Sequence, residues 1–230
     1  MKKILITSGG TKEYIDEVRV LTNISTGKLG AMIADTFLKK SLFDFPCKIY
    51  YVYVKGSEIP KMKYFANNIE YFEVSDVQSV YKIMEELVPE MDVVIHPMAV
   101  SDFGFHPTNT KLKSNDPEAF IQSLKDRIYQ TPKILAKIKE WNPNCFLISF
   151  KFENGLKHED LIKIAKKSLL DNDCDLVIAN DKQEMKILGD HMSYFIRVGT
   201  RMDNLSFVCQ PIKGKENIAN EIFNKIKDLC

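Results

Sequence analysis

The chain has 230 residues, 45% hydrophobic and 27% charged, which suits a globular protein with a sizeable core and makes a single α/β domain over 1–230 the starting expectation. Its 32 Lys+Arg against 31 Asp+Glu leave a formal net charge of +1, so no global field draws it onto nucleic acid or an anionic membrane. The run Ile4 to Ile6 is too short for a signal-peptide core, and no later stretch reaches the length of a membrane span, so a cytoplasmic location is expected.

Lys2 to Ser8 (KKILITS) is a short run rich in branched residues that ends in Gly9-Gly10, the pattern of a buried parallel strand entering a tight loop. Leu29, Met32, Ile33 and Phe37 then recur at helical spacing through Lys40, with Gly27 and Gly30 where that helix begins. Strands are expected at Cys47 to Val54, Ile69 to Val74, Asp92 to His96, Phe146 to Phe150 and Asp175 to Ala179. Amphipathic helices are expected at Val77 to Leu87, Pro132 to Glu140 and Glu159 to Leu170. Tyr194 to Val198 and Leu205 to Cys209 alternate like a hairpin across Thr200 to Asn204, and Ile218 to Ile226 closes the chain as a helix. This rhythm predicts a Rossmann-like, doubly wound α/β fold, with a mostly parallel sheet, helices on both faces and a C-terminal β-hairpin. Residues 103–131, with Pro107, Asn109, Asn115, Asp116 and Pro117, read as the least regular part and as a flap over a site.

A dinucleotide fold would place G-x-G-x-x-G directly before the first helix. Here the glycines fall in two clusters, Ser8-Gly9-Gly10-Thr11 and Ser25-Thr26-Gly27-Lys28-Leu29-Gly30, separated by a segment carrying Glu13, Asp16, Glu17 and Arg19. That argues against a dinucleotide and leaves helix-terminal amides suited to one phosphate or carboxylate. From spacing alone, a ligand site and a mere folding device stand level. The five cysteines (Cys47, Cys145, Cys174, Cys209, Cys230) show no C-x-x-C pair and read as reduced packing thiols. His96, His106, His158 and His191 have neither metal-ligand spacing nor a paired nucleophile, and no catalytic role is assigned to them.

The stretch ILITSGGTKEYIDEVRVLTNISTGKLG resembles the signature opening of phosphopantothenoylcysteine synthetases, roughly I-T-(A/S)-G-(G/P)-T-x-E-x-I-D-x-V-R-x-I-(T/S)-N-x-S-(T/S)-G-K-x-G. Further blocks follow in order: His96-Pro97-Met98-Ala99-Val100-Ser101-Asp102-Phe103 resembles A-A-A-V-(A/S)-D-(Y/F), Lys111-Leu112-Lys113-Ser114 resembles K-(I/L)-K-(K/S), and Thr131-Pro132-Lys133-Ile134-Leu135 resembles (T/N)-P-D-I-(L/V). Phe150 and Ile178-Ala179-Asn180-Asp181 complete the series, and the start at Met1, close to the first strand, looks like the free-standing form of a domain that is fused in many bacteria.

The resemblance implies a two-step ligase of coenzyme A biosynthesis. A nucleoside triphosphate, CTP in most bacterial members and ATP in eukaryotic ones, activates the 4′-phosphopantothenate carboxylate as an acyl-nucleotide, and the amine of L-cysteine displaces the nucleotide. Mg²⁺, bound mainly through the triphosphate, and a homodimer are implied too. Lys111 and Asn23 are carried over as catalytic residues. Lys111 would neutralise the meeting anions, and Asn23 would hold the acyl-nucleotide, although capping the helix near Gly27 is open to it as well. Gly9, Gly10, Met98, Ala99, Asp102, Lys111, Pro132, Lys133, Ile134, Leu135 and Phe150 are carried over to the nucleotide. Asn23, Ser25, Thr26, Gly27, Lys28 and Arg19 are carried over to the acid substrate, with exposed salt bridges equally open to Arg19 and Lys28.

The chain departs from the pattern at His96-Pro97-Met98, Ser114 and Lys133, and at Ser168 and Asn172, where fused bacterial members carry two lysines directed at the triphosphate. Lys113, Lys133, Lys166 and Lys167 are candidates to compensate. CTP is favoured over ATP by length and by the missing fusion partner. Two rivals remain: a nicotinamide-dependent reductase, which lacks its acidic residue after Val52-Tyr53-Val54, and a non-catalytic nucleotide-binding protein.

Overall fold

Branched residues in the first strand alternate between two cores. β1 (Lys2–Ser8) sends Leu5 to one face of a sheet and Ile4 and Ile6 to the other, all three fully buried. Both faces are apolar because both are covered, as a parallel sheet requires. A computed structural model describes residues 1–40, 45–62, 67–112, 115–199 and 206–228. β4 (Cys47–Val54) and β5 (Ile69–Val74) extend the sheet on one side of β1. β6 (Val93–His96), β9 (Phe146–Glu153) and β10 (Leu176–Asp181) extend it on the other, all in parallel. The antiparallel hairpin of β11 (Met192–Gly199) and β12 (Ser206–Lys213) completes an eight-stranded sheet in the order β12-β11-β10-β9-β6-β1-β4-β5.

The helices α1 (Lys28–Lys40) and α7 (Lys215–Lys227) cover one face, where Phe37, Phe45 and Phe223 meet edge to face. The other face carries α2 (Val77–Leu87), α4 (Ile134–Trp141) and α5 (His158–Asp171), packed over Leu5, Val94, Leu147 and Val177. Asp76 caps α2 in a reciprocal box with Ser79. The doubly wound expectation is met, with chain order reversing between β1 and β6. Crevices at such switch points, beyond the strands' carboxyl ends, are where open α/β sheets take ligands.

Residues 103–131 are more regular than their composition suggests. β7 (Phe103–Phe105) pairs with β8 (Ile128–Gln130), and α3 (Pro117–Lys125) starts on Pro117 behind the Asp116 cap. The first crossover loop also holds a ribbon, β2 (Lys12–Tyr14) with β3 (Val20–Thr22), and α6 (Lys182–Leu188) follows β10. Cys47, Cys145 and Cys174 are free and buried, and Cys209 is free and exposed. Burial pushes the thiols of Cys145 and Cys174 up to about 11 and that of Cys47 to about 12. Lys113, Ser114, the Thr200 to Asn204 turn and Cys230 lie outside the described residues.

Candidate functional site

At the carboxyl end of β1 the backbone turns through Gly9, at φ +92°. A Cβ there would lie 2.0 Å from the Ser57 hydroxyl, so the position requires glycine. Ala99, beyond β6, runs alongside the turn: its N–H donates to Gly9 O at 2.9 Å, and its carbonyl accepts from the Thr11 N–H at 3.1 Å. Beneath them the buried Thr7 hydroxyl accepts the Met98 N–H at 3.2 Å and meets His96 Nδ1 at 2.8 Å. Burial pushes His96 down to about 4, so its ring is neutral, and with Nδ1 unprotonated it accepts a hydrogen bond from the hydroxyl. The loops after β1 and β6 thus rest on a polar pin between the two strands.

The two glycine clusters meet here. Ser8 donates its hydroxyl to Gly27 O at 3.0 Å, and the Glu58 N–H donates to Thr26 O at 2.8 Å, so the Ser25–Gly27 turn sits over β1 and α1 starts at Lys28 with its first-turn amides free of intrahelical partners. A cleft of about 350 Å³ opens between these loops and the ends of β9 and β10. Gly9, Ser25, Thr26, Gly27, Lys28, Ala99 and Phe150 all line it. Asn23 borders it, donating its carboxamide N–H to Ala99 O at 3.4 Å and leaving the amide oxygen for a ligand, while its own carbonyl crowds Gly10.

The remaining sequence candidates lie on the far side of the Ala99 segment. Asp102 pairs with Lys133 at 2.5 Å, and Thr131 ties the ribbon back to Ser101 O and Asp102 O. Pro132, Lys133, Ile134 and Leu135 form the entry to α4, with Ile134 buried in the core. Met98 is also buried. Lys111 is exposed and outside the cleft lining, but its neighbour is fixed: the buried Asp16 accepts from the N–H groups of Leu112, Val18 and Arg19. Burial would raise the Asp16 carboxyl, yet these donors and the Arg19 charge outweigh it and hold it below the usual carboxylate range. The Arg19 guanidinium spans Asp16 at 2.9 Å and Leu112 O at 3.1 Å and lies over Phe120, so its contacts join the first crossover loop to the segment holding β7 and α3. Among the described residues no group of three or more metal-ligating side chains gathers. Asp102 offers one exposed carboxylate, a donor set that fits a divalent cation carried by a triphosphate.

Sequence reasoning assigned no role to Asn180, His191 and Lys215, which form the other wall of the cleft with Phe152 and Met185. One signal was available: Lys215, like Lys28, stands in the first turn of a helix, where a cation opposes the macrodipole. A larger hollow of about 550 Å³ lies at the opposite end of the strands, among Leu169, Asp173, Cys174, Arg197 and Lys225. It gathers strand beginnings and helix C termini, and Asp173, Asp175 and Asp228 there oppose the charges of Arg197 and Lys225.

The chain matches, over residues 1–229, the family model described as DNA/pantothenate metabolism flavoprotein C-terminal domain. It is 34% identical over 204 residues to the coenzyme A biosynthesis bifunctional protein CoaBC of Thermococcus kodakarensis, covering 86% of this chain and 45% of the relative. The chain spans about half the length of the curated relatives it matches. A crystal structure of the DNA/pantothenate metabolism flavoprotein from Streptococcus pneumoniae superposes with a TM-score of 0.77 at 30% identity, covering 100% of both chains. A Cab2 variant in complex with phosphopantothenate-cysteine shares the fold, with a TM-score of 0.70 at 18% identity over 99% of this chain and 86% of that one. With signature loops, switch-point cleft and family model in agreement along its length, this chain belongs to the DNA/pantothenate metabolism flavoprotein C-terminal domain family.

Proposed function

We propose that the chain is a phosphopantothenate–cysteine ligase acting through an acyl-nucleotide, with CTP as the activating nucleotide in preference to ATP. The observation that carries the reading is the Asn23 carboxamide beside Ala99 at the rim of a cleft whose far wall carries Lys215. A carboxylate–phosphate substrate fits such a site lengthwise, with its phosphate among the α1 amides and its carboxylate toward Asn23. The names of the curated relatives, and the phosphopantothenate-cysteine held by a protein of the same fold, support this choice of substrate.

In the first step a carboxylate oxygen attacks the α-phosphorus and pyrophosphate leaves. In the second, the cysteine nitrogen attacks the acyl carbon, loses a proton, and expels the nucleoside monophosphate. Mg²⁺ would neutralise the triphosphate, with Asp102 as the nearest protein carboxylate in the carried-over nucleotide region. Lys111, at the end of a loop anchored by Asp16, would supply charge between the two anions. Asn23 can donate to and accept from the acyl-nucleotide without repelling it.

A homodimer and a cytoplasmic location belong to the same reading. Val18, Val20, Leu21, Ile24, Phe103, Ile121 and Ile128 are exposed around the two small ribbons, an apolar face suited to a second copy. Sedimentation should give twice the chain mass of 26.5 kDa; a monomer would remove that part. Among the described residues no helix is long and apolar enough to cross a membrane. The activity itself is tested by pyrophosphate release with 4′-phosphopantothenate and Mg²⁺, comparing CTP with ATP. Release that needs phosphopantothenate and favours CTP supports the proposal, release favouring ATP reverses the nucleotide choice, and release with neither refutes the reading.

A further inference from the structure

We infer that Lys215, presented by the start of α7 and backed by His191 and Asn180, is the residue that makes the cleft select a phosphomonoester dianion over the same acid without its phosphate. The inference rests on the proposed ligase reading and deepens it.

Two lysines converge on one end of the cleft. Lys28 opens α1, Lys215 opens α7, and both also line an adjoining hollow of about 520 Å³ together with His191. Each cation stands at the positive end of a helix dipole, where a carboxylate or phosphate is the stabilising occupant. Neither lysine makes an ion pair among the described residues, whereas Lys133, Lys139, Lys167 and Lys225 all do. Desolvation first and the Lys28 charge second hold the Lys215 ammonium below the usual lysine range, partly offset by Glu58. Desolvation, with Lys215 adding to it, pushes His191 down to about 4, so at neutral pH its ring is an uncharged hydrogen-bonding group.

The geometry is held rather than loose. Gly214 donates its N–H to His191 O at 2.7 Å, tying the residue before Lys215 to the loop after α6. The His191 Nε2 lies 3.5 Å from the Asn180 carboxamide nitrogen, which is itself buried against the cleft floor. Asn217 fixes the preceding turn by donating to Lys213 O at 2.9 Å. The half-buried Lys215, the exposed Lys28, two helix N termini and a neutral ring thus face one small volume, while Asp190 and Glu216 line only the adjoining hollow. A phosphomonoester, with about two negative charges at neutral pH, matches this set in charge and size. An uncharged alcohol in the same place leaves the lysines repelling each other. The opposite end of the cleft, at Asn23 and Ala99, carries no such excess of cations.

The test uses the purified chain and its Lys215→Ala and Lys215→Arg variants, with Lys225→Ala as a control on the same helix. Pyrophosphate release is measured with 4′-phosphopantothenate and with pantothenate, and affinities for both acids and for CTP are measured separately by calorimetry. Lys215→Ala is expected to raise KM and Kd for the phosphorylated acid by about 10- to 100-fold, from loss of a charged hydrogen bond. Pantothenate, CTP affinity and melting temperature should be nearly unchanged, Lys215→Arg should recover most of the loss, and Lys225→Ala should match the parent. Equal losses on both acids, a loss confined to CTP, or no loss at all would overturn the inference. If the parent chain releases no pyrophosphate, the ligase reading fails, and the calorimetric comparison of the two acids still decides the role of Lys215.

Discussion

On the proposed ligase reading Asn23 and Lys111 serve different halves of the reaction, so substitution separates them. Asn23 sits against Ala99 at the cleft rim, where a carboxamide can hold an acyl-nucleotide while an amine approaches. Asn23→Ala should leave pyrophosphate release in a single turnover largely intact and cut formation of the cysteine adduct by about 100-fold, the scale of losing one donor to a developing charge. Lys111→Gln should instead slow the first burst of pyrophosphate, and quenched-flow measurement of both products distinguishes the two. At this scale the sequence was most legible where a glycine or a small polar loop recurs, because close backbone approach restricts such positions to few residue types. Arg19 shows the limit: its pair with Asp16 is three residues away in sequence, but the Leu112 carbonyl it also holds comes from a segment that spacing cannot bring near. Lys215 shows another, since its meaning depends on which helix start faces which cleft.

The elements that build the site are the β1–α1 joint and the two small ribbons. At Gly30 a Cβ would stand 2.7 Å from Ser8 Oγ and 3.1 Å from Thr7 O, so the helix packs on the strand at backbone distance. Gly30→Ala should cost roughly 1 to 3 kcal/mol in urea unfolding, as overpacking of a tight joint does, and weaken phosphopantothenate binding through displaced α1 amides. The ribbons meet through Asp16, whose carboxylate fixes Leu112, and Arg127, whose guanidinium donates to Ile15 O at 3.0 Å. Asp16→Asn should release the Lys111 loop and lower the first half-reaction about tenfold or more, on the scale of a lost charged hydrogen bond, with cysteine transfer from preformed acyl-nucleotide spared. Periodicity located the long parallel strands and the amphipathic helices, whose apolar patterns are set by a large core. It missed β2, β3, β7 and β8, three residues each, because so short a ribbon holds its shape by contacts with other loops.

For the whole molecule, the two depressed histidines give stability a definite pH dependence. His96 and His191 fall from an ordinary 6.5 to about 4 on folding. The unfolded chain therefore binds protons that the folded one refuses between these values, so stability is full above about pH 6.5 and declines as pH drops toward about 4. His96, fully enclosed under the switch point, accounts for roughly 3 kcal/mol of that decline. Urea unfolding of the parent and of His96→Gln at pH 7 and pH 5 should show a shallower loss in the variant, and identical slopes would refute the assignment. The overall architecture was open to sequence reasoning because strand and helix alternate with little interruption. The apolar side chains exposed around the two ribbons were not, since no periodic signal marks a surface built from short, separate loops.

The most direct measurement incubates the purified chain with 4′-phosphopantothenate, L-cysteine, Mg²⁺ and CTP or ATP, and identifies the acid product by mass. A cysteine amide of phosphopantothenate that forms only when nucleotide is present, with one pyrophosphate per amide, is the predicted result. Nucleotide binding without amide formation under any of these conditions would contradict the account.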